Sequence, residues 1–270
     1  MIAIVTDSSV GYSSAEIAAR GIVCTVPVNY QIGSETFEEA ASDRNPPFMG
    51  RMAGKVCKTA QPALDNFIRT FRNLTEKGCD VVCIVLSAAL SGTYSSACFA
   101  ARQVGGNIRV VDSETIGAGM HLLVDEAVNM VKGGLAFADV VRHLEELKKK
   151  IAVVFSVETL DRLIAGGRLA SGKANASLNL RPVFVLKGRI LFKLNARGQR
   201  ERLEKMCALL PANTRRMFVC RCGAETPVAE FTAMLQARFP AVNIHQRVVG
   251  PVLSIHVGPG AFGVAYVTNG

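Results

Sequence analysis

Apolar positions in the first half of the chain form short continuous runs that alternate with stretches of helical spacing. Ile2–Asp7 and 22–28 read as strands, and between them Ser13 and Glu16 make a capping box that opens a helix ending at Arg20. A looser segment follows over 33–47. Within 62–77, Leu64, Phe67, Ile68, Phe71 and Leu74 share one helical face, and 80–86 is an almost unbroken apolar run of the kind buried on both faces of a parallel sheet. A helix over 91–104, a strand over 107–111 and a helix over 119–131 continue the alternation. It predicts a doubly wound, mostly parallel α/β domain.

The rhythm changes after a polar helix over 138–150, which ends in Glu-Glu-Leu-Lys-Lys-Lys and marks the expected boundary between domains at 1–150 and 151–270. Beyond it the pattern predicts a strand at 152–157, a helix at 158–165 stopped by Gly166-Gly167, and a hairpin of 184–186 with 190–192 turning at Lys187-Gly188. A helix at 199–209, a strand at 217–222, a helix at Val228–Arg238 and strands near 242–249, 253–257 and 262–267 follow. This is an α+β domain.

Composition narrows the class. The chain is 49% hydrophobic and 20% charged, and no apolar run approaches the roughly 18 residues of a membrane span. Its N-terminus reads as a strand and lacks the basic region and cleavage site of a signal peptide, so a cytoplasmic location is expected. The eight cysteines sit mostly in apolar stretches without CxxC spacing; Cys220-Arg-Cys222 comes closest to a ligand pair, with buried thiols as the other reading. Net charge is +9, and residues 181–216 hold ten Lys/Arg against two acids. Such a patch suits an acidic partner or an anionic membrane surface, and equally an ordinary solvated face. Nucleic acid is disfavoured, since only Phe184 and Phe192 are interleaved for stacking.

Candidate chemistry gathers where strands end. Ser91 falls at the expected N-cap of the 91–104 helix, and Gly92 permits close approach to the backbone. A helix N-terminus at the C-terminal edge of a parallel sheet favours an anionic oxygen, although capping alone also selects serine. Asp7-Ser8-Ser9 and Asp112-Ser113 repeat these residue types at other strand ends. Gly167 to Ala174 imitates a phosphate loop, but Ala174 replaces the magnesium-binding hydroxyl and a helix precedes it. The four histidines form no ligand pair; His121 and His143 sit on helices, and His256 is expected at a strand end beside Gly258-Pro259-Gly260.

Taken in order, "TDSS" at 6–9, "KTAQP" at 58–62, "LSGTYSSA" at 90–97, "VVDSETIGAG" at 110–119, "GGRL" at 166–169, "RPVFVLKGRI" at 181–190 and "HVGPGAFG" at 256–263 resemble the DegV family of bacterial lipid-binding proteins, which includes the fatty-acid-binding subunit of fatty acid kinase. The resemblance spans essentially the whole chain. It implies two α/β domains with a long-chain fatty acid in a tunnel between them, its carboxylate bound by Thr59 and by the Ser91-Gly92-Thr93 turn, with His256 near the head group. It also implies a protein that binds no cofactor and does not catalyse alone, but presents the carboxylate to a separate ATP-dependent kinase for acyl-phosphate formation, feeding phospholipid synthesis. Arg168 is the expected contact for partner or phosphate.

Ala60 and Ala63 depart from the serines common at these positions of the family, and 42–58 fits its pattern loosely. The rival reading is a stand-alone phosphotransferase or hydrolase using Asp7, Asp112 and His256.

Overall fold

The apolar runs of the first half pair into a parallel sheet. In chain order the elements are β1 (Ile2–Asp7), α1 (Ser14–Arg20), β2 (Val23–Val26), β3 (Asn29–Ile32), β4 (Glu35–Glu38), β5 (Cys57–Ala60), α2 (Leu64–Thr75), β6 (Asp80–Val85), α3 (Thr93–Val104), β7 (Ile108–Asp112), α4 (Ala118–Lys132) and α5 (Phe137–Leu147). Strands β2-β1-β6-β7 form the parallel sheet, and β4-β3-β5 form a small antiparallel one. Val5, Val81, Cys83 and Val85 face Phe67 and Phe71 of α2 and Ala97 and Ala100 of α3. Each fully buried phenylalanine contributes roughly 1.5–3 kcal/mol. The opposite face is covered by α4 and α5. The Ser13/Glu16 capping box forms as expected. Helix α1 is fastened to α4 where Tyr12 Oη (2.9 Å) and Arg20 Nε (3.1 Å) both donate to Asp125 Oδ1.

The computed structural model describes residues 1–169, 180–224 and 226–269. Residues 170–174 of the broken phosphate-loop motif therefore lie outside the described residues. The chain divides into two compact units, Met1–Lys149 with Gly250–Val252, and Lys150–Val249 with Leu253–Gly270. Among the described residues no helix is long and apolar enough to cross a membrane.

The second unit holds β8 (Ile151–Ser156), α6 (Asp161–Ala165), β9 (Leu180–Lys187), β10 (Arg189–Arg197), α7 (Gly198–Ala208), β11 (Thr214–Arg221), α8 (Val228–Arg238), β12 (Ile244–Val248), α9 (Pro251–Val257) and β13 (Phe262–Thr268), with the first residues of α9 grouped in the first unit. Its sheet runs β10-β9-β8-β13-β11-β12, antiparallel except for the β11–β12 pair. Leu203 and Met206 of α7 and Phe231 and Leu235 of α8 pack on Val154, Val183, Val219 and Val264. The α/β class, with one parallel sheet and one separate mixed sheet, is as the hydrophobic pattern predicts.

Several local expectations are corrected. The segment read as loose contains β4, and β5 was not foreseen, because four-residue strands of mixed polarity leave no periodic signal. The stretch 253–257 is helical, not a strand: Pro251 suits a first helical position, and buried Ser254 accepts a hydrogen bond from Cys222 Sγ at 3.1 Å. His256 consequently sits in the last turn of α9. The polar helix ends at Leu147, followed by a tighter turn at Lys148–Lys150. The helix expected at 158–165 is only Asp161–Ala165. Strand β11 stops at Arg221, so Cys220 and Cys222 are not two ligands on one strand; burial pushes the Cys220 thiol up to about 12.

Candidate functional site

The parallel order β2-β1-β6-β7 reverses direction between β1 and β6, and open α/β sheets bind ligands at the carboxyl ends of the strands beside such a reversal. The segments leaving β1 and β6 are tied together there. Asp7, fully buried, accepts from Leu86 N through Oδ2 at 2.7 Å and from Ser9 N through Oδ1 at 3.0 Å. Burial raises its carboxyl to about 6 despite these donors. Asp112 at the end of β7 accepts from Ala88 N (3.2 Å) and Glu114 N (2.9 Å), and Ser87 N donates to Thr115 O at 2.8 Å. Two carboxylates thus shape the loop over 86–92.

That loop delivers Ser91, Gly92 and Thr93 to the start of α3. The N-cap is Gly92, not Ser91, because the helix opens one residue later than the serine suggests. Ser91 Oγ accepts from Thr93 N at 3.3 Å and lies 2.9 Å from Thr93 Oγ1, so the two hydroxyls form a pair at the first turn. Thr93 is buried and Ser91 half-buried. A Cβ on Gly92 would lie 2.0 Å from Gln61 Oε1, so the glutamine amide occupies the space that a side chain at 92 would need. Gln61 follows β5 by one residue, which brings "KTAQP" against the "SGT" turn.

Thr59 sits on β5 directly opposite Tyr30 on β3, and opposed residues of antiparallel strands share a face. Ala60 points to the other face, so its missing hydroxyl does not lie beside Thr59. Ala63 is the N-cap of α2 and makes no side-chain capping bond; a serine there would serve the helix.

A third carboxylate, Glu39, is buried in the same unit. Its Oε2 accepts from Ser8 Oγ at 2.9 Å and its Oε1 from Val252 N at 3.1 Å. Burial is the main cause that lifts it to about 7, with the charge of Asp7 adding to the shift.

In the second unit the "GGRL" loop meets His256. A Cβ on Gly166 would fall 2.8 Å from His256 Nδ1. Arg168 NH1 donates to Gly166 O. Burial, and then the charge of Arg168, lower His256 to about 4, so the imidazole is neutral at neutral pH and carries one donor and one acceptor. Among the described residues no three His, Cys, Asp or Glu side chains gather to hold a metal ion.

The structure thus unites Ser91, Gly92, Thr93 and Gln61 around one helix start, sets Thr59 on the adjoining strand, and joins Arg168 to His256. The sequence profile of the DegV family, described as "Uncharacterised protein, DegV family COG1307", matches residues 1–269. The chain belongs to the DegV family. A DegV domain-containing protein of Deinococcus radiodurans is 31% identical to it over 98% of this chain and 97% of the other. A DegV family protein from Thermus thermophilus, whose structure is described as showing fatty acid binding, has a TM-score of 0.89 and 28% identity with 99% of both chains covered. The Fatty Acid Kinase (Fak) B3 protein of Streptococcus pneumoniae, solved with linoleic acid, has a TM-score of 0.85 over 100% of both chains; at 22% identity it bears on the fold alone.

Sequence reasoning on this DegV chain missed Gln61 and Glu39. The glutamine, one residue before Pro62 and two after Thr59, was the readable signal; Glu39 had none, because its donors lie 31 and 213 residues away.

Proposed function

We propose that this protein binds a long-chain fatty acid, with the carboxylate received by the hydroxyls of Ser91 and Thr59 at the Ser91-Gly92-Thr93 turn, and presents it to a separate ATP-dependent kinase. The observation that carries the reading is the Ser91–Thr93 hydroxyl pair opening α3 beside the reversal of the parallel sheet. The likeness to the Thermus protein supports the ligand class. Binding strength comes from the tail, since each buried methylene contributes roughly 0.8 kcal/mol and offsets the desolvation of a charged head.

Neutral donors suit a carboxylate that must later react. Hydroxyls and a neutral His256, assigned to the same head group by its motif, leave more charge on the oxygens than an arginine fork would. Phosphoryl transfer depends mainly on position and on charge stabilisation, which a kinase with ATP and magnesium supplies. Acyl-phosphate formation, delivery toward phospholipid synthesis and a cytoplasmic setting complete the reading. Arg168 is assigned to the partner or the transferred phosphate. The exposed cations Arg189, Lys193 and Arg197 on β10 suit an acidic kinase face or a passing contact with an anionic bilayer.

A stand-alone enzyme using Asp7, Asp112 and His256 finds less support, because the two carboxylates are occupied in holding backbone N–H groups of the 86–92 loop. The test is native mass spectrometry with lipid extraction on wild type and Ser91→Ala. Stoichiometric fatty acid, depleted about tenfold in the variant, is expected for loss of a hydrogen bond to a charged group. Wild-type protein that carries no lipid and binds no added palmitate would overturn the reading. Addition of the catalytic subunit of a bacterial fatty acid kinase with ATP then tests presentation, by acyl-phosphate formation.

A further inference from the structure

Tyr30 offers a polar atom that the fold itself does not use. It lies on β3 between Phe37 on β4 and Thr59 on β5, and the three opposed residues share one face of the small sheet. Its ring stacks on Phe37, with centroids 5.2 Å apart. The residue is only 2% exposed, yet its hydroxyl has no hydrogen-bond partner among the described residues. Buried hydroxyls are nearly always bonded, and phenylalanine would fill the same volume without desolvating one. Burial, and secondarily the charge of Glu39, raise the phenol above its ordinary value while Arg51 opposes them, so the group stays protonated and able to donate.

A donor buried on the face shared with Thr59 fits an anionic oxygen arriving at that threonine. We propose that Tyr30 donates its phenolic O–H to the head group of the bound fatty acid, as a further hydroxyl beside Thr59. The proposal rests on the carboxylate reading above and adds a residue to it. Tyr30 acts in recognition of the carboxylate, not of the tail.

Tyr30→Phe separates this role from packing, because it removes one oxygen and nothing else. Palmitate and methyl palmitate are titrated against wild type, Tyr30→Phe and Ser91→Ala, with thermal unfolding of the lipid-free proteins beside them. Palmitate affinity is expected to fall about tenfold in Tyr30→Phe, the loss of one hydrogen bond to a charged acceptor, while methyl palmitate changes less than about twofold. The lipid-free variant should unfold no earlier than wild type, since the hydroxyl it loses has no partner there.

Equal palmitate affinities would overturn the proposal and leave the hydroxyl to a bridging water. So would a variant that unfolds early, because the hydroxyl would then be holding the fold. Failure of the parent reading looks different: wild type would not bind palmitate, or Ser91→Ala would bind it as wild type does.

Discussion

Replacing Glu39 by glutamine should change how stability depends on pH, because Glu39 is a buried carboxylate held, among the described residues, by a hydroxyl and a backbone N–H. Its carboxyl titrates at about 7 in the folded chain against an ordinary 4.5. A raised folded value means the native state binds the proton more tightly than the unfolded one. The stabilisation is therefore fully present below about pH 4.5 and is lost as pH rises through about 7. At 1.36 kcal/mol for each unit, the difference amounts to about 3 kcal/mol. Asp7, at about 6 against 3.8, acts in the same direction with a similar size. His256 opposes both. Its folded value of about 4 against 6.5 gives stability present above 6.5 and lost as pH falls through 4, again about 3 kcal/mol.

Such opposed contributions hide one another in the wild-type profile, so the informative quantity is the difference between variants. Urea unfolding followed by circular dichroism suits a chain without tryptophan. Between about pH 4.5 and pH 8, wild type should lose about 3 kcal/mol relative to Glu39→Gln. His256→Asn should lose the acid-side decline between about pH 6.5 and pH 4 by a similar amount. Parallel profiles for wild type and Glu39→Gln would refute the claim that Glu39 is an uncompensated buried acid.

Two further substitutions test local geometry. Ala63→Ser should supply the missing cap of α2 and stabilise the protein by about 1 kcal/mol in urea unfolding, with palmitate affinity unchanged. Gly92→Ala sits at ordinary backbone angles (φ −70°, ψ 1°) and should shift stability by less than about 1 kcal/mol, yet it must displace the Gln61 amide. Its effect on palmitate binding should therefore be strongly non-additive with Gln61→Ala in a double-mutant cycle, whereas additive losses would show that the two residues do not meet.

Much of this molecule was legible because burial writes itself into the chain as periodicity. The run over 81–86 must be apolar throughout since β6 is covered on both faces beyond Asp80, and α2 repeats its phenylalanines because one side meets the sheet. What could not be read depends on distant partners. The alternation in 253–257 imitates a strand, but Pro251 at the first helical position and the bond from Cys222 to Ser254 accompany a helix, which moves His256 from a strand end into a helical turn. Ser91 was visible as a hydroxyl near a helix start; only the structure shows that Gly92 takes the cap and leaves Ser91 paired with Thr93.

Tyr30 lies furthest from what a sequence can say. In "VNYQIG" it is one aromatic between the strand expected at 22–28 and the looser segment from 33, and its interest comes wholly from being opposite Thr59 while its hydroxyl is shut away from water. A fold optimised only for stability would have phenylalanine there, since it loses no contact and desolvates nothing. The retained oxygen is the reason to look for a ligand on that face.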